Sequence, residues 1–147
     1  MKVSFQYGLA GYTGKAQNLV YYYDKTAGRV FSRRYVYPTL TEENRRVGKI
    51  TTNIYSLSPS EGYKENLRVY ALFYNGLRST EKPLRSWSNA YLRLMFRLAE
   101  AYPGIELKTL SRDEIFANDL PCISVKRAIL AGLIPKVQGW ERLDALL

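Results

Sequence analysis

Asn18-Leu19-Val20-Tyr21-Tyr22-Tyr23-Asp24 and Arg29-Val30-Phe31-Ser32-Arg33-Arg34-Tyr35-Val36-Tyr37 enclose the four residues Lys25-Thr26-Ala27-Gly28. Both outer runs are rich in β-branched and aromatic side chains, which suit a pleated, half-buried surface. Gly28 can take the positive φ that closes a short hairpin. The reading is two paired antiparallel strands, the second ended by Pro38. Alternation then puts Arg29, Phe31, Arg33, Tyr35 and Tyr37 on one face. Upstream, Lys2 to Tyr7 alternates polar and apolar residues as a half-buried strand would. Gly8, Gly11 and Gly14 follow it in a turn-rich segment.

Downstream of Pro38 the period changes to that of helices. Thr39 and Glu42 stand at capping-box spacing, and Val47, Ile50, Ile54 and Leu57 recur at helical intervals. Ser58-Pro59-Ser60-Glu61 reads as a second start, with Tyr63, Leu67, Tyr70 and Tyr74 as a buried stripe that Leu72 and Phe73 widen. Gly76 stops this helix, and a polar loop from Arg78 to Arg85 is the candidate hinge. Ser86 caps a helix with Trp87, Tyr91, Leu94, Met95, Leu98 and Tyr102 on one face, ended by Pro103-Gly104. Ser111 and Glu114 form another capping box, and a short helix is expected over 124–131 with Gly132 beyond it. Trp140, Leu143, Leu146 and Leu147 form a last amphipathic turn that docks on the core.

The expected fold is α+β: a small N-terminal antiparallel sheet or hairpin packed with a C-terminal cluster of four to five helices. We expect a single domain over 1–147, β-rich in 1–40 and helical in 41–77 and 86–147. A chain of 147 residues with 46% apolar content has the material for one core. No run of eighteen apolar residues occurs, so no membrane span is expected. The N-terminus carries no apolar leader and Cys122 stands alone, which points to a cytoplasmic protein.

Residue types exclude much chemistry. There is no histidine, which removes the commonest general base and metal ligand, and a lone cysteine builds no zinc site. Gly8 to Lys15 has five residues between its outer glycines rather than four, and Ala16 stands where a phosphate loop needs a hydroxyl. Cys122 reads as a buried structural thiol. No cofactor, metal or small-molecule ligand is implied, and a non-enzymatic protein is expected.

Charge carries the positive signal. The formal net charge is +9, which favours polyanionic partners. Residues 1–74 hold eleven basic and five acidic groups and eleven of the thirteen tyrosines, so cations and aromatic rings are concentrated together. Interleaved arginine and aromatic residues on a sheet can hold phosphates and stack bases. On the helix that follows, Arg45 and Lys49 lie opposite the apolar stripe and Arg46 flanks it. The candidate nucleic-acid-binding set is therefore Arg29, Arg33, Arg34, Tyr35, Arg45, Arg46 and Lys49. The same aromatic rings could instead pack in the core, with arginines lying over them.

Arg127-Ala128-Ile129-Leu130-Ala131-Gly132-Leu133-Ile134 resembles the close of the second helix of helix-turn-helix regulators. Ile115 and Asp119 depart from the small residue and the glycine of that motif, so 111–135 reads as a plain helical hairpin. Gly14-Lys15, Asn18, Val20-Tyr21-Tyr22, Gly28-Arg29, Arg33, Pro38, Thr41 and Arg45 resemble a class of uncharacterised bacterial proteins. Those open with a Gly-Lys turn, a Tyr-rich hairpin and a Thr-capped helix. The likeness covers residues 14–48 and implies hairpin-then-helix and a bacterial or mobile-element origin, with no activity attached. The leading expectation is a nucleic-acid-associated accessory or architectural protein. The alternative is a self-assembling filament or shell subunit that uses the Tyr-rich hairpin as its interface.

Overall fold

The computed structural model describes residues 2–3, 13–25, 27–77 and 83–147. The fold is α+β, as expected, and falls into two compact units, residues 1–40 and 41–147.

The first unit is an antiparallel sheet of β1 (Lys2–Val3), β2 (Gly14–Ala16), β3 (Leu19–Asp24) and β4 (Arg29–Arg34), in the order β1-β4-β3-β2. The hairpin register runs from Leu19 opposite Arg34 to Asp24 opposite Arg29. Gly28 closes it at φ +62°, and the Ala27 amide donates to the Asp24 carboxylate at 3.2 Å. The expected N-terminal strand is present at Lys2–Val3, while its remainder, Gly8, Gly11 and Thr26 lie outside the described residues.

Two expectations are corrected here. Gly14-Lys15, read as a turn, begins a strand. The turn lies at Gln17-Asn18, where Gln17 takes φ +52°, an uncommon conformation for its residue type. The second hairpin strand ends at Arg34 and not at Tyr37. Its partner β3 starts opposite Arg34, so the ladder runs out there, and only the Tyr35 amide, donating to the Asn18 carbonyl at 2.7 Å, prolongs it.

The two faces differ. Val30 and Ser32 are buried on the side they share with Leu19, Tyr21 and Arg34. On the other side Lys15, Tyr22, Arg29 and Arg33 are exposed, with Val20 and Phe31 half-buried among them.

The second unit contains α1 (Glu42–Ser56), α2 (Glu61–Asn75), α3 (Trp87–Ala101), α4 (Arg112–Ala117) and α5 (Val125–Leu130), with short 3-10 turns at Pro121–Ile123 and Trp140–Arg142. Each α-helix starts on a hydroxyl that accepts a backbone amide proton, the caps being Thr41, Ser60, Ser86, Ser111 and Ser124. Ser111 and Glu114 complete the expected capping box. For α1 the cap is Thr41 rather than Thr39, and Glu42 becomes the first helical residue, where its charge suits the helix dipole. For α2 the cap is Ser60 rather than Ser58. Ser58 still belongs to the exit of α1: it has φ +49° and its amide donates to the Tyr55 carbonyl at 3.2 Å.

The core gathers Ile50, Ile54 and Leu57 of the α1 segment, the α2 stripe, and Tyr91, Leu94, Met95 and Leu98 of α3 around Ile115, Cys122, Val125 and Ala128. Three buried tyrosines satisfy their hydroxyls across it. Tyr63 donates to the Cys122 carbonyl at 2.9 Å, Tyr70 to that of Pro135 at 3.1 Å, and Tyr91 to that of Ile54 at 3.2 Å. Each bond ties one helix to a distant backbone segment. The Arg112 guanidinium likewise donates to the carbonyls of Leu57, Ser58 and Leu147, joining the α1–α2 turn to the last residue.

Leu72 and Phe73 do not widen the α2 stripe, and Leu72 is 72% exposed. Helix α2 packs against α3 and α5 along the arc of Tyr63, Leu67, Tyr70, Ala71 and Tyr74, so one face is enough and the opposite one meets solvent. In the C-terminal turn Leu143 and Leu147 dock as expected, whereas Leu146 is exposed beside its β-bridge to Ser124. Cys122 is fully buried, and burial pushes its thiol up to about 12. Of the candidate hinge, residues 78–82 lie outside the described residues; at its end the Asn75 amide group bonds both backbone polar groups of Leu84 at 2.8 Å.

Candidate nucleic-acid interface

The expected basic set divides between the two units: Arg29, Arg33, Arg34 and Tyr35 in the first, Arg45, Arg46 and Lys49 in the second.

In the second unit, residues 42–49 of α1 are exposed all round, because core contact begins at Ile50. Val47, expected in the apolar stripe, is therefore exposed as well. The cations of this half-helix are not equivalent. Arg46 forms a fork with Glu43, its Nε and Nη2 donating to the two carboxylate oxygens at 2.8 and 2.7 Å. That guanidinium holds the Glu43 carboxyl below its ordinary range. Arg45 and Lys49, one turn apart on the same helix, have no ion pair with any described residue.

A third cation joins them from far along the chain. The Asn53 side-chain amide donates to the carbonyls of Leu107 and Leu110, both at 2.9 Å, and Leu107 and Leu110 are buried on either side. This clamp holds Lys108 against α1. Lys108 lines a groove of about 290 Å³ with Glu42, Arg45, Arg46 and Lys49, and a second concavity with Lys49, Thr52, Asn53 and Ser56. Lys108 was missed in the sequence because only Asn53, 55 positions earlier, brings it here, and no periodicity marks that contact.

In the first unit, strand register separates the arginines. Arg29 and Arg33 share the open face with Lys15, Val20, Tyr22 and Phe31, and Arg34 points to the other face. Tyr22 and Phe31 are cross-strand partners whose rings stack at 5.9 Å and 23°. Just past the strand, the Lys15 ammonium sits 4.3 Å from the centre of the Tyr35 ring, and Tyr37 meets that ring edge-on at 5.3 Å. The Tyr37 hydroxyl and then the Lys15 ammonium hold the Tyr35 phenol below its ordinary value. Lys15 and Tyr22 were also missed: both depend on the β2–β3–β4 register. Neither Arg29 nor Arg33 is ion-paired with a described residue.

The segment that resembles a helix-turn-helix motif presents no comparable surface. Helix α5 has only six residues, Val125, Ala128 and Ile129 are buried, and Arg127 is held by both carboxylate oxygens of Asp119. Asp119 itself takes φ +49° at the position where that motif has its glycine. Among the described residues no group of three or more acidic or cysteine side chains could hold a metal ion. No helix of the described residues is long and apolar enough to cross a membrane. No family model, curated protein or solved structure matches the chain, which leaves the chemistry of these two surfaces as the guide to what they hold.

Proposed function

We propose that this is a non-enzymatic, nucleic-acid-associated protein, accessory or architectural in role and acting in the cytoplasm. The observation that carries this reading is the groove on α1, where Arg45, Lys49 and Lys108 converge without an ion pair to any described residue. These three cations share the groove with a single further carboxylate, Glu42, which leaves a positive excess that an anionic partner neutralises. The partner's phosphates release counterions as these cations take their place. The open sheet face adds Lys15, Arg29 and Arg33 beside exposed rings. A role without catalysis agrees with the absence of histidine and with the sealed position of Cys122.

Salt dependence tests the reading. With about six phosphates engaged, the log of the binding constant for labelled DNA should fall with the log of salt at a slope of roughly −4 to −5. A slope near zero, or no binding at low salt, would overturn the proposal.

A second reading, self-assembly, is favoured by one observation. The run Tyr35-Val36-Tyr37-Pro38-Thr39-Leu40 is solvent-exposed throughout, with Val36 at 71%, Tyr37 at 81% and Leu40 at 65%. Contiguous apolar exposure of this kind suits a subunit contact. Against it, β3 and β4 are both interior strands, with β2 paired along Leu19 to Tyr21 of β3 and β1 along Val30 and Phe31 of β4. Size exclusion with multi-angle light scattering on nucleic-acid-free protein decides between them. A monomer at high concentration in both low and high salt removes self-assembly; a large, salt-indifferent oligomer establishes it.

A further inference from the structure

The open face of the sheet combines three features that separately have ordinary explanations. It carries cations at Lys15, Arg29 and Arg33, none ion-paired with a described residue. It carries two aromatic pairs, Tyr22 with Phe31 within the β3–β4 ladder and Tyr35 with Tyr37 just past the end of β4. It leaves three of those four rings in solvent, Tyr22 at 43% and Tyr35 and Tyr37 more than a third exposed, with Phe31 half-buried. A core explanation would bury the rings; in this sheet the buried residues are Val30 and Ser32, on the opposite face.

We infer that this face is a platform for single-stranded nucleic acid, with bases stacking on the aromatic pairs while Lys15, Arg29 and Arg33 hold the intervening phosphates. The inference deepens the proposed function and rests on it: that reading needs only phosphates, whereas this one also needs unpaired bases. A duplex offers phosphates but keeps its base faces inside the stack, out of reach of a ring lying on a sheet. A single strand exposes both, and an aromatic ring accepts the π-face of any base, so stacking here gives affinity without a strict sequence. The β3–β4 register sets Asp24 opposite Arg29, Phe31 opposite Tyr22 and Arg33 opposite Val20, so along β4 cation, ring and cation alternate as a strand alternates phosphate and base. Lys15, tied to Tyr35 by its position over the ring, extends that alternation past the end of β4.

Fluorescence anisotropy with three labelled probes of equal length tests this: oligothymidylate, the same backbone without bases, and a mixed-sequence duplex. The expected result is that oligothymidylate binds more tightly than the abasic strand by about fivefold to a hundredfold for each stacked base. Oligothymidylate should also bind more tightly than the duplex. Tyr22→Leu should narrow the gap between oligothymidylate and the abasic strand by about one stacked base's share, with Tyr35 and Tyr37 keeping the remainder, and Tyr22→Phe should preserve the gap. Equal binding of oligothymidylate and the abasic strand would overturn the platform and leave phosphate binding standing. Preference for the duplex would overturn it too. If no probe binds at low salt, the platform and the proposed function fail together. Because the wild-type comparison needs no variant, the test holds even if Tyr22→Leu proves unstable.

Discussion

Raising the pH through about 10 to 12 should unfold the helical unit in one steep transition. Tyr63, Tyr70 and Tyr91 are buried, and burial pushes each phenol above its ordinary value of 10.0. Burial likewise pushes the Cys122 thiol from 9.0 to about 12. In the unfolded chain these groups lose protons at their ordinary values, so above them the folded state holds more protons than the unfolded one. The stabilisation is complete below the unfolded values and falls as the pH rises. Each phenol contributes a slope of up to about 1.4 kcal/mol per pH unit, so the three together give about 4 kcal/mol per unit. Two such units match a typical total stability of about 5–15 kcal/mol. Far-ultraviolet circular dichroism measured alongside phenolate absorbance checks it, since helix loss and the ionisation of the buried phenols should coincide. Retention of full helicity through pH 12 with every tyrosine ionised would refute the coupling. Tyr63→Phe should cost about 1 kcal/mol at neutral pH, through the lost bond to the Cys122 carbonyl, yet make the alkaline transition shallower by one proton.

Neutralising the α1 groove should have the largest effect on binding. The triple change Arg45→Ala, Lys49→Ala and Lys108→Ala removes three cations from one groove. It should flatten the log–log salt slope by about 2 to 3, at roughly 0.7 to 0.9 per phosphate lost. By the same relation, affinity at low salt should fall by a factor on the order of 100. All three side chains are exposed, so thermal stability should move little. Arg46→Ala is the internal control. Its guanidinium is already paired with Glu43, so its loss should change the slope far less than that of Arg45 one residue away. Wild-type binding by the triple variant would remove the groove from the interface. An Arg46→Ala effect as large as that of Arg45→Ala would show that the Glu43 pair opens for the partner.

The two surfaces were legible in the sequence to different depths. Arg29 and Arg33 on one sheet face follow from residue parity once the hairpin is accepted, and that same parity sends Arg34 away from them. Arg45 and Lys49 on one helix face follow from the helical period. Both inferences use neighbours a few residues apart. The pairing of Arg46 with Glu43 is equally local, three positions apart, although which of the neighbouring carboxylates a given cation chooses is decided by side-chain geometry.

By itself the sequence determined the α+β class, the hairpin with its Gly28 turn, a cluster of four to five helices, and the buried positions Tyr63, Leu67, Tyr70 and Tyr74 of α2 and Tyr91, Leu94, Met95 and Leu98 of α3. Alternation and the 3.6-residue period are short-range rules that any chain must obey to bury apolar side chains. Tertiary structure alone decided what the buried tyrosine hydroxyls meet and whether the hairpin rings are covered. Tyr63, Tyr70 and Tyr91 find backbone carbonyls that fold back to meet their hydroxyls, whereas Tyr22 and Tyr35 lie on a sheet face without such cover. It also decided that Lys108 joins Arg45 and Lys49, through an Asn53 clamp spanning 54 and 57 positions. Contacts of that length depend on how whole elements pack, and no local pattern in the chain records them.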